Sequence, residues 1–490
     1  MRHPQPRRLL PQICDTAVTR YPGGVRRPAV LIATVFALAA GATPAAAETQ
    51  ELTFTAPNEI NLTPFGVAQG AMVVPSPQQD GYVVGMWADV VDMKGRSMNV
   101  RRVMLHHIVF ASVLGQDATC TSTWHGGEDG SIPMPKGISV ERFYAMGEER
   151  AKMQLPPGYG YPNSAEKPWG VGFMLMNHRN VDDKARIRFH VTYVTGEQLT
   201  PVRPYWLDVR NCDTDPVFDA PGTGGPRSQT RETWDYTMPE SGRIVAAGGH
   251  LHGGGIALTA DDVTAGRQLF DLRPRWGLPG SLPYQVRPVL HEPGPIHMTA
   301  IQSAQGIPIG QGDVLRLTAT YDNSRPHTRS MGISVMYVAP DPTASAASPM
   351  PTDIQRLDDV PEDTRAMYGS GRPGAPPKVI VPLFRAPEGR IWTNPKRARL
   401  GDVFIAPERV ALTVGRTLRW RWKSEVSHNL TIASGPEGFS SRSLTDGDFR
   451  HTFSRPGTYR LFCTLHPTLM VEEVVVRTRR AARRASPRAV

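Results

Sequence analysis

The segment Cys463-Thr-Leu-His466-Pro-Thr-Leu-Met470 sets a thiolate, an imidazole and a thioether on one short loop, and His428 lies well upstream in a strand-like stretch. Two imidazoles, a thiolate and a weak axial thioether are the ligand set of a blue-copper electron-transfer site. Such a set works only on a rigid scaffold that holds similar geometry in both oxidation states. The last hundred residues are therefore constrained to a packed β framework that brings a strand end and a loop together.

The same class is expected for the rest of the chain. At 490 residues it is too long for one core, and its 46 Gly and 46 Pro favour turns over long helices. Tyr82 to Trp87, Val103 to Val113 and Ile187 to Tyr193 read as strands, the last with strict apolar/polar alternation. A second strand-rich block includes Arg243 to Ala247, Ile256 to Thr259, Val314 to Tyr321 and Ile333 to Val338. A third includes Val410 to Val414, Leu418 to Trp422, Leu430 to Ile432, Tyr459 to Phe462 and Val471 to Val476. No strong helical repeat is present. The expected architecture is all-β, with three sandwich-like domains at 48–212, 213–340 and 379–477. Val217 to Arg231 and 341–378 are rich in turn-forming and small residues and read as linkers.

The net charge of +10 is carried by the two ends. Of 55 Lys and Arg, six Arg fall in 1–47 and six in 477–490; of 45 Asp and Glu, one Asp falls in these ends, which leaves 43 basic against 44 acidic residues. The body is near neutral, and a nucleic-acid partner is not expected. Residues 478–490 form an Arg-rich tail, read as a solvated end or a contact for anionic lipid or wall polymer. Arg26-Arg27, the apolar run Ala29 to Ala42 and the small-residue site Ala45-Ala46-Ala47 match a signal peptide spanning 1–47, by the general or the twin-arginine route. Export to a periplasmic or secreted location follows, and no other segment is apolar and long enough to cross a membrane. In an exported chain, Cys120 and Cys212 form an even pair and a disulfide is expected; two free thiols are the alternative.

The block 379–477 carries further matching pieces: Val410-Ala-Leu-Thr-Val-Gly415, Leu418-Arg-Trp-Arg-Trp422, Ser427-His428-Asn429 and Pro456-Gly457-Thr-Tyr459. With the Cys463 loop, the whole block resembles cupredoxins of the plastocyanin and pseudoazurin type. The resemblance implies a Greek-key β-sandwich with one blue, type 1 copper held by His428, Cys463, His466 and Met470. Asn429 is placed to hydrogen-bond near the sulfur.

Upstream, His106-His107 lie in a strand, His178 ends an apolar run, and Gly248-Gly-His250-Leu-His252-Gly-Gly puts two histidines on one strand face, where they can chelate one ion. Adjacent histidines on a flat strand point to opposite faces. His106 and His107 therefore share a metal only if the strand bends or different ring nitrogens are used. The alternative is one buried and one exposed histidine. His125, His190, His291, His297 and His327 have no such context and read as surface or satisfied core histidines.

In this order, His106, His107, His178, His250, His252 and Met331 resemble the ligands of the copper type II, ascorbate-dependent monooxygenases, the peptidylglycine α-hydroxylating and dopamine β-monooxygenase family. The resemblance covers roughly 48–340. It implies two type 2 coppers, making three ions in all: one on His106, His107 and His178, storing and passing an electron, and one on His250, His252 and Met331, where oxygen reacts. Met336 is the rival thioether and reads as core. The arginine that binds a peptide carboxylate in amidating members is Gly248 here, and Ile333 and Val335 replace their Asn and Tyr, which disfavours peptide substrates. The resulting expectation is hydroxylation of a small organic substrate with O2. The two electrons come from an external donor, a redox protein or ascorbate, through the cupredoxin. The alternative is a copper-binding or electron-transfer protein without turnover.

Overall fold

The computed structural model describes residues 47–120, 139–213, 215–374 and 387–479. The expected signal segment up to residue 46, His125 and residues 480–490 of the tail lie outside them. The described residues are nearly all β, with two short helices, Leu282–Gln285 and Glu362–Tyr368.

In the first sandwich, one sheet runs in the order Glu48–Thr55, Asp183–Thr195, Gly81–Val91, Tyr159–Asn163, Thr200–Pro201. The facing sheet runs Val67–Val74, Trp169–Asn177, Val103–Val113, Val140–Gly147. Alternation explains the pairing. Ile187, Phe189, Val191 and Tyr193 point inward from one strand and meet Phe110, Phe143 and Trp169 from the other sheet. These are large, fully buried side chains, each worth about 1.5–3 kcal/mol of burial.

The second sandwich stacks Arg203–Asp208, Gly332–Pro340, Gly242–Leu251, Ala300–Ile309 and Gln355–Leu357 on a sheet of Gln229–Thr237, Val314–Asp322, Gly255–Asp262 and Arg267–Leu272. Two of its strands are apolar on both faces. Ile244, Ala247, Met336 and Val338 enter its own core, so Met336 is core as expected. Val245, Ala246, Tyr337 and Ala339 join the core of the first sandwich instead. The Tyr337 hydroxyl donates to the Phe143 carbonyl at 2.8 Å across this seam. A strand buried on both sides reads as an apolar run rather than an alternating one. The Cys120–Cys212 disulfide is formed and joins the loop after Val103–Val113 to the loop after Arg203–Asp208.

Both expected linkers are structured. From Val217 to Arg231, Phe218–Ala220 pairs with His327–Ser330, and Gln229 opens a strand paired along Val314–Asp322. From 341 to 374, Asp341 pairs with Arg243 at 2.6 Å, Gln355–Leu357 extends a sheet edge, and Tyr368 is buried beside Val100, Met104 and Met176. A three-residue edge strand and a two-turn helix are too short to print a periodicity over their Pro, Ala and Ser background.

The third sandwich has sheets in the order Trp392–Thr393, Arg409–Thr413, Val471–Arg477, Gly457–Phe462, Thr431–Ser434 and Phe404–Ala406, Arg397–Gly401, Thr417–His428, Leu444–Thr452. Trp420, Trp422, Phe453 and Tyr459 fill its core.

Candidate metal centres

The long strand Thr417–His428 loses register with Leu444–Thr452 between Lys423 and His428, and this turns His428 toward the loop that follows Gly457–Phe462. That loop is a tight turn. Met470 N–H donates to the His466 carbonyl and Cys463 N–H to the Met470 carbonyl, each at 3.1 Å. Asn429 ties the loop to the His428 strand: its amide NH2 donates to Thr464 Oγ1 at 2.7 Å, and its Oδ1 accepts the Thr464 N–H at 3.1 Å.

The outcome is a set of ligand atoms already at coordination spacing. His428 Nδ1 and His466 Nδ1 are 3.1 Å apart, and Cys463 Sγ is 3.8 Å from each. Two imidazole nitrogens on one ion at ordinary bond lengths lie roughly 3–3.5 Å apart, and a thiolate sulfur about 3.8 Å from each in a trigonal site. Cys463, Met470 and His428 are fully buried. Burial holds His428 in its neutral form, with its pKa down to about 4, the neighbouring His466 adding to the effect. Burial pushes the Cys463 thiol up, opposed by backbone N–H groups including that of Asn429. A soft buried thiolate with two neutral imidazoles, one of them buried and the other partly exposed, fits copper.

The upstream histidines converge at the seam between the first and second sandwiches. Strand Val103–Val113 changes register with Trp169–Asn177 between Leu105 and His107. The bend brings both rings to one side: His106 Nδ1 and His107 Nδ1 are 3.2 Å apart. His178 is buried after the end of Trp169–Asn177, its Nδ1 donating to the Val100 carbonyl at 2.5 Å.

His250 and His252 sit at the end of strand Gly242–Leu251, which pairs with the strand following Met331. The buried Tyr321 hydroxyl fixes this corner. It accepts the His252 backbone N–H at 2.8 Å and donates to the Met331 carbonyl at 2.6 Å. His250 Nδ1 meets Glu149 Oε2 of the first sandwich at 2.9 Å, and His252 Nδ1 donates to the Arg329 carbonyl at 2.6 Å. Gly147 is required for the Glu149 approach, because a Cβ there would lie 2.6 Å from His250. Burial opposes charge on His250, but the Glu149 carboxylate overcomes it and raises the pKa; burial, with the neighbouring His250 and His291 adding to it, pushes His252 well down. Among the described residues, the Nε2 atoms of both rings are buried without a partner.

The structure brings histidines of the two expected sites against one another, while His178 is held apart by its bond to Val100. The rings of His106 and His252, assigned to different ions by the sequence, are 5.1 Å apart. His291 joins them, with its Nε2 3.2 Å from His106 Nε2. His291 stands alone in a Pro- and Gly-rich loop and carries no spacing signal in the sequence.

Two cavities meet at this cluster. One, of about 160 Å³, is lined by His107, His250, Met331 and Glu149 with apolar Tyr144, Met146, Trp206, Ile333 and Val335. Gly248 also lines it, with open space where a side chain would begin. The other, of about 310 Å³, runs from His106, His252 and His291 to Ile432, Phe462, Thr464 and Leu465 of the third sandwich. The third sandwich is held there by Arg329, whose guanidinium donates to the Ser441 carbonyl at 3.1 Å and pairs with Asp215. Asp219 accepts the Ser440 N–H at 2.7 Å, and Thr328 donates to the Ile432 carbonyl at 2.9 Å.

No family model matches this chain, and no curated protein matches it. Solved structures similar to it are small cupredoxins. An amicyanin mutant in its reduced state is 24% identical, with a TM-score of 0.16, over 16% of this chain and 80% of that one. A purple cupredoxin from Nitrosopumilus maritimus is 27% identical, with a TM-score of 0.16, over 17% of this chain and all of that one.

Proposed function

We propose that the chain is an exported copper-dependent monooxygenase in which the third sandwich relays electrons to an oxygen-reacting centre at the upstream histidine cluster. The reaction is hydroxylation of a C–H bond in a small organic substrate: O2, two electrons and two protons yield the alcohol and water, with an external redox protein or ascorbate as donor. Copper bound at these ligands supplies the one-electron redox chemistry and the reactivity toward oxygen.

The observation that carries the proposal is the shared wall. His107 and Met331 line both cavities; His250 faces the largely apolar one, and His106, His252 and His291 face the one that reaches the third sandwich. Trp206, Ile333 and Val335 offer a dry surface for an uncharged substrate. Glu149 orients His250, and the Arg329 carbonyl orients His252, leaving Nε2 of each ring free to bind an ion. The disulfide agrees with an oxidising compartment. Among the described residues no helix is long and apolar enough to cross a membrane.

A second reading, a copper carrier without turnover, is favoured by the packing of ligands from both expected sites into one cluster. Oxygen uptake by the copper-loaded protein, with reductant and a panel of small apolar compounds, separates the two. Substrate-dependent uptake with alcohol formation supports the oxygenase; uptake indifferent to every compound leaves the carrier.

A further inference from the structure

His291 is the one histidine at the cluster that neither expected copper site uses. It comes from the second sandwich, in the loop after helix Leu282–Gln285, and lies against a histidine of the first. The ligand atoms of His106, His252 and His291 all lie within 4.8 Å of one another. His106 Nε2 and His291 Nε2, at 3.2 Å, are at the spacing of two imidazoles on one ion. The third member, His252, spends its Nδ1 proton on the Arg329 carbonyl, so its Nε2 presents a bare lone pair. That atom is buried and has no hydrogen-bond partner. An acceptor left so is costly to bury, and a bound cation removes that cost.

We infer that His106, His252 and His291 form a single tri-imidazole copper site built jointly by the two sandwiches. His291 also has a polar neighbour on its far side, with Nδ1 3.4 Å from Glu148 Oε1. The two atoms are near one another without forming a hydrogen bond, so the Glu148 side chain bounds the ring rather than fixing its orientation. Because the ligands come from both sides of the seam, binding at this site closes the seam as well as filling it. The inference rests on reading the upstream histidines as metal ligands, and it is independent of whether oxygen is turned over.

The test uses the full chain loaded with copper, wild type beside His291→Ala, with His190→Ala, a half-buried histidine outside the cluster, as a control. Pulsed EPR counts the imidazoles on the non-blue copper, and a chelator competition measures its affinity. The expected result is one imidazole fewer in His291→Ala. Copper affinity falls by more than about 10-fold, since even outer partners of a ligand cost 10–100-fold. The blue band of the third sandwich persists as a check that the chain is folded. An unchanged imidazole count and affinity overturns the inference. Should the variant not fold, anomalous scattering from copper in wild-type crystals decides. One peak bonded to Nε2 of all three histidines supports the site; copper bonded to other histidines with His291 outside coordination distance overturns it. Loss of the imidazole signature without any oxygen uptake in the wild type would uphold this site while removing the monooxygenase reading.

Discussion

The ring of His252 and the backbone of Arg329 are joined by a 2.6 Å hydrogen bond, and the same Arg329 reaches with its guanidinium to the Ser441 carbonyl of the third sandwich. One residue thus contacts both a candidate ligand of the upstream cluster and the domain that carries Cys463. Burial disfavours the Arg329 charge, but Asp215 and Asp219 outweigh it.

Arg329→Ala keeps the carbonyl bond to His252 and removes the Ser441 and Asp215 contacts. It is expected to loosen the third sandwich while leaving the upstream copper content unchanged. Leaving Asp215 unpaired sets an upper range of about 3–5 kcal/mol for the cost. Stopped-flow reduction would show fast blue-site reduction and slowed onward transfer; unchanged onward transfer would mean that Arg329 has no part in coupling the centres.

Glu149→Ala removes the carboxylate that orients His250. Upstream copper affinity is expected to fall by roughly 10–100-fold, with the blue absorption unaffected. Titration calorimetry on the two variants, Glu149→Ala and Glu149→Gln, checks this, with Gln restoring part of the loss by keeping an acceptor at His250.

Glu472 gives a pH signature remote from the upstream cluster. It is fully buried beneath Trp420, whose indole N–H donates to it at 2.8 Å, and burial pushes its carboxyl up to about 8. The unfolded chain releases this proton near the usual 4.5, whereas the folded chain holds it to about pH 8. Between these values the folded state binds more protons, so this group's contribution to stability is full below the unfolded pKa and is lost as pH rises through the folded one. Glu472→Gln is expected to flatten the fall, gaining on the order of 1 kcal/mol per pH unit relative to wild type between pH 5 and pH 8. Melting curves across that range test it; parallel wild-type and variant profiles would contradict it.

Gly248→Arg places a guanidinium in the apolar cavity, where the backbone leaves room. Binding of uncharged compounds is expected to drop at least about 10-fold, while carboxylate-bearing analogues gain, the charged hydrogen bond being worth roughly 1.5–3 kcal/mol. Calorimetric binding of matched amide and carboxylate pairs reads the switch.

The Cys463 site was legible because its ligands sit close in sequence and their chemistry is narrow; the structure adds that Asn429 clamps the loop rather than only standing near it. The Cys120–Cys212 bond was legible from parity. The pairing of His106 with His107 turned on a bend that no residue pattern announces, since it arises from a register change against Trp169–Asn177. His291 was invisible because its nearest partner, His106, comes from another sandwich. The strand Arg203–Asp208 was counted with the first domain by its position, yet it pairs with Gly332–Pro340 far along the chain. Long-range pairing of this kind leaves no local trace.

The Cys120–Cys212 bond has a mechanical consequence. Asp117 caps the Cys120 turn and is locked by Arg142, so the staple is anchored in rigid structure on the first-sandwich side. On the other side it follows directly from Arg203–Asp208, the edge strand of a five-stranded sheet of the second sandwich. The two bodies cannot drift apart as wholes. Any parting that admits a molecule to the histidines is a swing about this pin, and breathing at the seam is restricted to angular motion.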